Sequence, residues 1–337
     1  MQIAAMLFLV CLVALCAPAR SELQIYFLDV EGGQATLIVT PAGESLLVDA
    51  GWPGHDARDA KRIAAAAKEA GISRIDYFLM THYHVDHAAG TPELLAHIPV
   101  GTFIDHGPNT ENTKQGAECE ALYKSQLHKG KHMVVKPGDR IPLRGVEVMV
   151  VAARGVSVAT ALKGAGAPNA ACATTKPMED DSSENARSVG FRLQFGKFRF
   201  VDLADMTWNT ELGMVCPNNK AGTTDLFLVS HHGASISNSP ALLAALRPRV
   251  AVMNNGARKG GDKETFQRLR ALPGLEDLWQ LHYSFSAGEA NGEERLIANP
   301  EEKCAGQLIH VSARSDGSFR VTNRRNGVSK TYPARKG

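Results

Sequence analysis

Short apolar runs alternate with polar, helix-forming segments along most of the chain. Runs at residues 24–29, 34–39 and 44–49 predict three successive strands. Alanine-rich residues 58–70, which also contain Lys and Arg, predict a helix. The pattern predicts further strands at 75–80, 101–105, 133–136, 146–152, 189–195, 198–203, 225–230 and 249–253, and further helices at 92–96, 117–128, 240–246 and 263–271. This mixture of strands and helices indicates an α/β fold.

Four potential metal ligands lie within six residues, directly after the predicted strand 75–80. They are His82, His84, Asp86 and His87. His82 and His84 have the period-two spacing that directs two side chains to one side of an extended chain. Polar groups are costly at the end of a buried strand unless they bind something. Imidazole and carboxylate ligands suit zinc and its neighbours, so the sequence predicts a site for two adjacent metals.

This HxHxDH string resembles the signature of the metallo-beta-lactamase superfamily, and later motifs extend the resemblance. Residues 196–205 look like the strand that delivers the superfamily's bridging aspartate, with Leu203-Ala204 in place of Thr-Gly before Asp205. Residues 225–235 and the opening residues 24–35 are similar to the extracytoplasmic hydrolase domain of the ComEC/Rec2 competence proteins. The resemblance implies a four-layer αββα sandwich, the metallo-beta-lactamase fold.

The resemblance also implies how the ligands divide between two zinc ions, with manganese as the alternative. One metal takes two histidines of the motif, the other takes the aspartate with the third histidine, and a later aspartate bridges both. The implied ligands are His82, His84, Asp86, His87, Asp205 and His231. Such a metal pair lowers the pKa of a shared water and so creates a bridging hydroxide at neutral pH.

The second histidine of the His231-His232 pair has two alternative roles. His232 either replaces His231 as ligand or donates a proton to the leaving group, and we favour His231 as the ligand because it comes directly off the strand. The candidate catalytic residues are Asp86, Asp205 and His232.

One ligand of the family pattern is missing. Many members carry a third histidine for the first metal just before the bridging aspartate, where this chain offers only Glu184 and Asn185. His106, at the end of the strand after the motif helix, is the candidate substitute; the alternative is a structural histidine. Without a substitute, the first site binds weakly and the active form is mononuclear or manganese-dependent.

The first residues form a separate apolar segment. Residues 3–17 have the length of a signal-peptide core and are too short to span a bilayer comfortably. Ala17-Pro18-Ala19 offers small residues for cleavage, which predicts a signal peptide over 1–19 and a mature start at Arg20. We therefore expect a periplasmic or secreted protein with no stable membrane span after cleavage.

Cleavage would leave four cysteines in an oxidising compartment, namely Cys119, Cys172, Cys216 and Cys304. They contain no CxxC spacing, so zinc–thiolate ligation is a poor explanation for them. One or two disulfides and buried thiols are both open alternatives.

We expect one hydrolase domain over residues 20–304, followed by a basic C-terminal β-hairpin extension of the same domain over 305–337. The extension either guides a phosphate-bearing substrate or forms a solvated charged face, and we favour the latter. Residues 154–187, rich in Ala, Gly, Ser and Thr, are either a substrate-facing lid or a solvated insertion.

The sequence thus predicts an exported metal-dependent hydrolase that acts on a phosphodiester or a related ester. The substrate is a small molecule or a larger phosphodiester such as a nucleic acid, although a net charge of +2 gives no strong bias toward polyanions. The competing functions are a beta-lactam or lactone hydrolase and a noncatalytic, metal-stabilised binding module. Fold alone does not decide among them.

Overall fold

A computed structural model describes residues 21–335 of the chain. The predicted signal peptide, residues 1–19, and its cleavage site before Arg20 lie outside the described residues. No helix in the described range is long and apolar enough to cross a membrane.

Eighteen strands and seven α-helices make up the regular structure of residues 21–335. The strands are β1 (Leu23–Phe27), β2 (Thr36–Val39), β3 (Ser45–Val48), β4 (Ile75–Leu79), β5 (Val100–Asp105), β6 (Lys131–Val134), β7 (Arg140–Ile141), β8 (Glu147–Ala153), β9 (Val156–Ser157), β10 (Gly190–Phe195), β11 (Phe198–Asp202), β12 (Leu226–Leu228), β13 (Val250–Met253), β14 (Asp277–His282), β15 (Ile297–Asn299), β16 (Ile309–Ala313), β17 (Phe319–Asn323) and β18 (Ser329–Tyr332). The helices are α1 (Arg58–Glu69), α2 (Val85–Ala88), α3 (Thr91–His97), α4 (Lys114–Lys124), α5 (Trp208–Val215), α6 (Pro240–Leu246) and α7 (Lys263–Arg270).

The strands form two nine-stranded sheets. The order in the first sheet is β18-β17-β16-β1-β2-β3-β4-β5-β6, and the order in the second is β15-β14-β13-β12-β11-β10-β8-β7, with β9 paired to β8. Every strand and helix that the apolar pattern predicts for residues 24–271 occurs, with small shifts at the ends. The prediction missed β7, β9, β14, β15 and α5.

Three apolar clusters separate the layers, and neighbouring residues of one strand belong to different clusters. Ile25 and Phe27 of β1 lie in the cluster between the two sheets, whereas Tyr26 lies in the cluster under α1 and α3. A third cluster packs the outer face of the second sheet against α5, α6 and α7. Both faces of each sheet are therefore covered, which explains the nearly continuous apolar runs of the central strands. The predicted αββα sandwich is confirmed.

The C-terminal residues continue the first sheet instead of standing apart from it. β16 pairs antiparallel with β1, and β17 and β18 follow as a meander whose turns contain Gly317 and Gly327. Four basic residues here form ion pairs within the chain: Arg314 with Glu22, Arg324 with Glu69, Lys330 with Asp277 and Arg335 with Asp225. These pairs favour the charged-face interpretation over substrate guidance.

Candidate metal centre

The predicted ligands lie at one edge of the sandwich, where parallel strands of both sheets end. β3, β4 and β5 run parallel in the first sheet, and β11, β12, β13 and β14 run parallel in the second. The HxHxDH motif follows β4, Asp205 follows β11, and His231-His232 follows β12. Parallel strands bring their carboxyl ends together, so segments more than a hundred residues apart meet here.

Four of the predicted residues converge closely. One ligand atom from each of Asp86, His87, Asp205 and His232 lies within 4.8 Å of all the others, and all four residues are buried. His232 Nε2 is 3.3 Å from Asp86 Oδ2, 3.2 Å from Asp205 Oδ2 and 3.2 Å from His87 Nε2. Two nitrogens and two carboxylate oxygens facing one point are the donor set of a transition-metal site.

His82 and His84 flank this cluster. His82 Nε2 is 3.1 Å from His84 Nδ1 and 3.9 Å from Asp205 Oδ2. The rings of His82 and His87 are in contact, with centroids 4.1 Å apart and their planes tilted by 50°. Asp205 therefore belongs to the tighter cluster and also lies near His82, so its carboxylate could be shared by two metals.

Three of the motif histidines have one ring nitrogen held by another side chain, which leaves the other nitrogen facing the centre. His87 Nδ1 is 2.7 Å from Asp49 Oδ2, and His84 Nε2 is 2.9 Å from Glu111 Oε2. His82 Nδ1 is 3.1 Å from the Thr81 hydroxyl. Such partners set the ring orientation of metal-binding histidines.

The sequence favours His231 as the metal ligand, whereas the structure places His232 in the tight cluster and His231 beside it. Both residues have left-handed backbone angles, with φ of 53° and 52°, so the alternation of an extended strand does not apply to them. His232 is buried and its Nε2 lies in the cluster, whereas His231 Nε2 stays 3.6 Å from Asp205 Oδ2 with its side chain 14% exposed.

His106, the candidate third ligand of the first metal, contacts a buried carboxylate. Its Nε2 lies 3.0 Å from Glu184 Oε2, and the same carboxylate accepts the Thr110 N–H through Oε1 and the Tyr83 N–H through Oε2. His106 thus ties the 183–188 segment to the end of β5, which is the structural alternative. Asn185, from the same segment, lies 3.4 Å from His231 Nε2 through its side-chain nitrogen.

The carboxylates and histidines of the centre stabilise each other's charged forms. Burial opposes ionisation of Asp205, but the charges of His232, His87 and His231 outweigh it and hold the pKa of this carboxyl well below its usual range. Burial likewise lowers the pKa of His87, but Asp205, Asp86 and Asp49 raise it well above its usual value. A metal bound to His87 would replace the proton on its Nε2, so metal binding here releases a proton.

Two buried atoms of the centre have no hydrogen-bond partner among the described residues. Asp205 Oδ1 and His232 Nδ1 are both orphaned. A buried carboxylate oxygen without a donor is costly. A cation between Asp205 and the histidines would satisfy this carboxylate, so the residues present fit a metal.

Sequence reasoning missed three residues around the centre. Asp49 holds His87, Glu111 holds His84, and Lys259 forms an ion pair with Asp86 Oδ2 while its ammonium lies 4.8 Å from the centre of the Trp52 ring. Asp49 ends an apolar run at Asp49-Ala50-Gly51, which is a readable signal for a strand that stops at a site. Glu111 and Lys259 carry no such signal because they lie in loops whose path the sequence pattern does not define.

The 154–187 segment is tied down next to the centre. The disulfide Cys172–Cys216 joins it to the end of α5, and Asn169 Nδ2 donates to Ala241 O at 2.9 Å. Near its end, Glu184 contacts His106 and Asn185 contacts His231. A lid function for this segment stays a prediction.

Part of the chain is similar to known protein sequences. Residues 28–163 match the sequence model of the metallo-beta-lactamase superfamily. A ribonuclease Z from Methanopyrus kandleri is 31% identical over 117 residues, which is 34% of this chain and 37% of that protein. The match therefore spans little more than a third of the relative.

Solved structures with a similar fold include YhfI from Bacillus subtilis, a metallo-beta-lactamase fold protein with 10% identity and a TM-score of 0.44 over 77% of this chain and 95% of that one. A diphosphatase of the PhnP family has 13% identity and a TM-score of 0.39 over 76% and 94% of the two chains. The fold is therefore that of the metallo-beta-lactamase superfamily, and four buried side chains at its carboxyl edge form a candidate metal site.

Proposed function

We propose that the chain cleaves a phosphodiester or a related ester at this centre. The observation that carries the proposal is the convergence of Asp86, His87, Asp205 and His232 on one point at the carboxyl edge of both sheets. These residues would hold one metal, and His82 with His84 would hold a second that shares Asp205. A metal there supplies Lewis acidity and an activated water at neutral pH. The ribonuclease among the relatives supports a phosphodiester as the bond cleaved.

Lys259 is our candidate for binding the anionic substrate. Its ammonium pairs with Asp86 and is partly exposed, on a glycine-rich loop after β13. A metal held by Asp86 would share the charge of this carboxylate and would weaken its hold on the Lys259 ammonium. A free ammonium beside the metal site would attract and position a phosphate oxygen.

His231 is our candidate for protonating the leaving group. Its Nδ1 lies 3.3 Å from the Ser237 hydroxyl, and that hydroxyl donates to Met206 O at 2.8 Å. Burial lowers the pKa of His231 below its usual value, despite the opposing charge of Asp205. A metal-free imidazole at the exposed side of the centre is suited to general acid–base work.

We also propose that the protein is exported and begins at Arg20. The apolar segment at residues 3–17 and the disulfide Cys172–Cys216 support this, because disulfides persist mainly in oxidising compartments. N-terminal sequencing of the extracytoplasmic product tests it. Recovery of uncleaved protein from the cytoplasm would refute it.

The substrate proposal is tested by turnover of bis-p-nitrophenyl phosphate and of a chromogenic beta-lactam by the metal-loaded full chain. We expect hydrolysis of the phosphodiester and a raised KM in Lys259→Met. Arg258→Met is the matched control, because Arg258 is the adjacent basic residue and pairs with Glu302 instead of with a ligand. Turnover of the beta-lactam alone, or equal KM values in both variants, would overturn the proposal.

A further inference from the structure

A second group of metal-binding side chains lies outside the candidate metal centre. It consists of Asp29, Glu31, His282 and Cys304, with one ligand atom from each within 4.8 Å of all the others. Asp29 and Glu31 lie in the loop after β1, His282 ends β14, and Cys304 lies between β15 and β16. Because these segments are far apart in sequence, the absence of CxxC spacing said nothing about this site.

The four side chains point at one another. His282 Nε2 is 2.7 Å from Asp29 Oδ1, 3.4 Å from Glu31 Oε2 and 4.0 Å from Cys304 Sγ. Cys304 Sγ is 3.1 Å from Asp29 Oδ2 and 3.3 Å from Glu31 Oε1. Asp29 and His282 are fully buried, and Glu31 and Cys304 are partly exposed, which leaves a way in from solvent.

This geometry does not suit a nucleophilic cysteine triad. In a triad the thiol and the carboxylate use opposite nitrogens of the imidazole. Here Asp29 and Cys304 both face Nε2 of His282, while Nδ1 has no hydrogen-bond partner among the described residues. Donor atoms that gather around one point, instead of forming a chain, are the arrangement of a metal site.

We propose that Asp29, Glu31, His282 and Cys304 bind one zinc ion. A thiolate, an imidazole and two carboxylate oxygens make a four-ligand set that zinc accepts in tetrahedral geometry. On binding, the Cys304 S–H bond breaks, the sulfur keeps the electron pair as it bonds to zinc, and the proton leaves to solvent. Four protein ligands leave no open position, so the site is structural.

Arg62 completes the charge balance. Its Nη1 donates to Asp29 Oδ2 at 2.9 Å and to Glu31 Oε1 at 3.3 Å. Arg58 reaches Glu31 only at 4.0 Å and is bound to Asp59 at 2.6 Å. With zinc bound, the two positive charges of zinc and the one of Arg62 offset the two carboxylates and the thiolate.

The bound zinc would fix the loop between β1 and β2 beside the active centre. Within this loop Gln34 N donates to Asp86 O at 3.2 Å, and Gln34 Nε2 donates to Asp202 Oδ2 at 3.0 Å. A Cβ on Gly33 would lie 2.5 Å from the same Asp86 oxygen, so the loop backbone approaches the ligand segment closely. Anchoring Asp29 and Glu31 therefore holds the backbone that contacts Asp86.

Cobalt tests the proposal, because a cobalt–thiolate bond gives a charge-transfer absorption that cobalt bound by nitrogen and oxygen alone lacks. The full chain is stripped with a chelator, its fold is verified by circular dichroism, and Co²⁺ is titrated in. We expect the thiolate band to grow as Co²⁺ is added, to level off at the intensity of one thiolate-bound cobalt per chain, and to vanish when excess Zn²⁺ displaces the cobalt. The candidate ligands of the active centre include no cysteine, so they cannot produce this band.

Two matched cysteine variants and one carboxylate variant separate the outcomes. Cys304→Ser should lose the band and one equivalent of metal, whereas Cys119→Ser, which removes the other free cysteine among residues 21–335, should keep both. Glu31→Gln, at a partly exposed position, should weaken the metal at least tenfold with the fold intact. His87→Ala should keep the band. Absence of a thiolate band in the wild-type chain, or an equal band in Cys304→Ser, would overturn the proposal.

Discussion

Asp49 illustrates how single residues outside the ligand set prepare the centre. Its Oδ2 holds His87 Nδ1 at 2.7 Å, and its two oxygens also accept the Thr81 N–H at 2.8 Å and the Thr81 hydroxyl at 2.7 Å. Thr81 in turn contacts His82. One buried carboxylate, placed directly after β3, therefore orients two motif histidines.

We predict that Asp49→Asn weakens metal binding about 10–100-fold, because the amide no longer fixes the His87 ring by a charged hydrogen bond. Competition with a chromophoric chelator measures the affinity. The matched control is Asp105→Asn, another buried aspartate at a strand end, which holds His132 away from the ligands. Equal losses in the two variants would show that the effect is general destabilisation.

The two adjacent histidines should separate in their effects. We expect His232→Ala to lose metal from the cluster, because its Nε2 lies 3.2 Å from Asp205 Oδ2. We expect His231→Ala to keep its metal and to lower kcat about 10²–10⁴-fold, as the loss of a proton donor does. Elemental analysis measures the metal content of both variants. Turnover is compared for an ester with a good leaving group and one with a poor leaving group, because only the poor leaving group needs a proton donor. Metal loss in His231→Ala alone would restore the original assignment.

For single residues, the sequence predicts ligands better than it predicts their supporting partners. The spacing of His82, His84, Asp86 and His87 identifies a metal motif because four such polar groups at a buried strand end are costly unless a cation binds them. The choice between His231 and His232 could not be predicted, because it depends on left-handed backbone angles in a turn.

Asp202 shows the same limit of sequence patterns. Asp202 is three residues before Asp205, so strand alternation predicts that its side chain points to the opposite face and has no role at the centre. Instead it is buried, accepts the Ala204 N–H at 2.9 Å and accepts the Gln34 side-chain amide at 3.0 Å. Its hydrogen bonds depend on the turn after β11 and on a distant loop, which strand periodicity does not describe.

Among the elements, the parallel strands contribute most to the centre, and most of them could be predicted from sequence because they are buried apolar runs. β14 and β15 were missed although both are buried. β14 has a charged residue at its start and polar residues inside, among them Gln280, whose amide is satisfied by Asn291. A polar residue in a central strand hides that strand from a search based on apolar runs, and only the tertiary partner explains it.

The disulfide between the 154–187 segment and α5 should contribute to stability. We predict that Cys172→Ser/Cys216→Ser lowers the free energy of unfolding by about 2–4 kcal/mol, because the unfolded chain gains freedom. Urea denaturation measures it. The wild-type chain in reductant should match the double variant, and reductant should lower the stability of Cys119→Ser by the same amount as it lowers that of the wild-type chain. Insensitivity of the wild-type chain to reductant would contradict the bond.

Glu211 in α5 makes stability depend on pH. Its carboxylate accepts the Asn238 N–H at 2.6 Å and the Ser239 N–H at 2.8 Å, and burial raises its pKa from 4.5 to about 7. A raised carboxyl pKa means that the folded state keeps a proton that the unfolded chain has lost. This contribution to stability is therefore present at low pH and is lost as pH rises from about 4.5 to about 7.

We predict that Glu211→Gln removes this part of the pH dependence, which amounts to about 3 kcal/mol. Urea denaturation of both proteins across the window measures it as a flatter curve for the variant. Glu118→Gln, at an exposed position of α4, is the control and should follow the wild-type curve. Parallel curves for wild type and Glu211→Gln would contradict the buried proton.

At the scale of the whole molecule, the carboxyl ends of the parallel strands of both sheets meet at one edge. This edge carries the candidate catalytic groups. The first sheet provides Asp49 and the HxHxDH motif, and the second provides Asp205 and His232. The family resemblance predicted this architecture and the order of the motifs. It did not predict that the C-terminal meander continues the first sheet, because pairing of β16 with β1 joins segments nearly the full chain apart.

The metal content and phosphodiesterase activity of the purified full chain, beside those of Asp205→Asn, test the bridged metal centre most directly. Asn keeps the shape of the side chain but loses the charge that would bridge two cations. We predict one to two equivalents of zinc or manganese in the active centre of the wild-type chain, a lower content in the variant and activity reduced by orders of magnitude. Counting is done in the Cys304→Ser background so that the proposed structural zinc is not included. Full metal content and full activity in Asp205→Asn would contradict a metal-dependent hydrolase at this site.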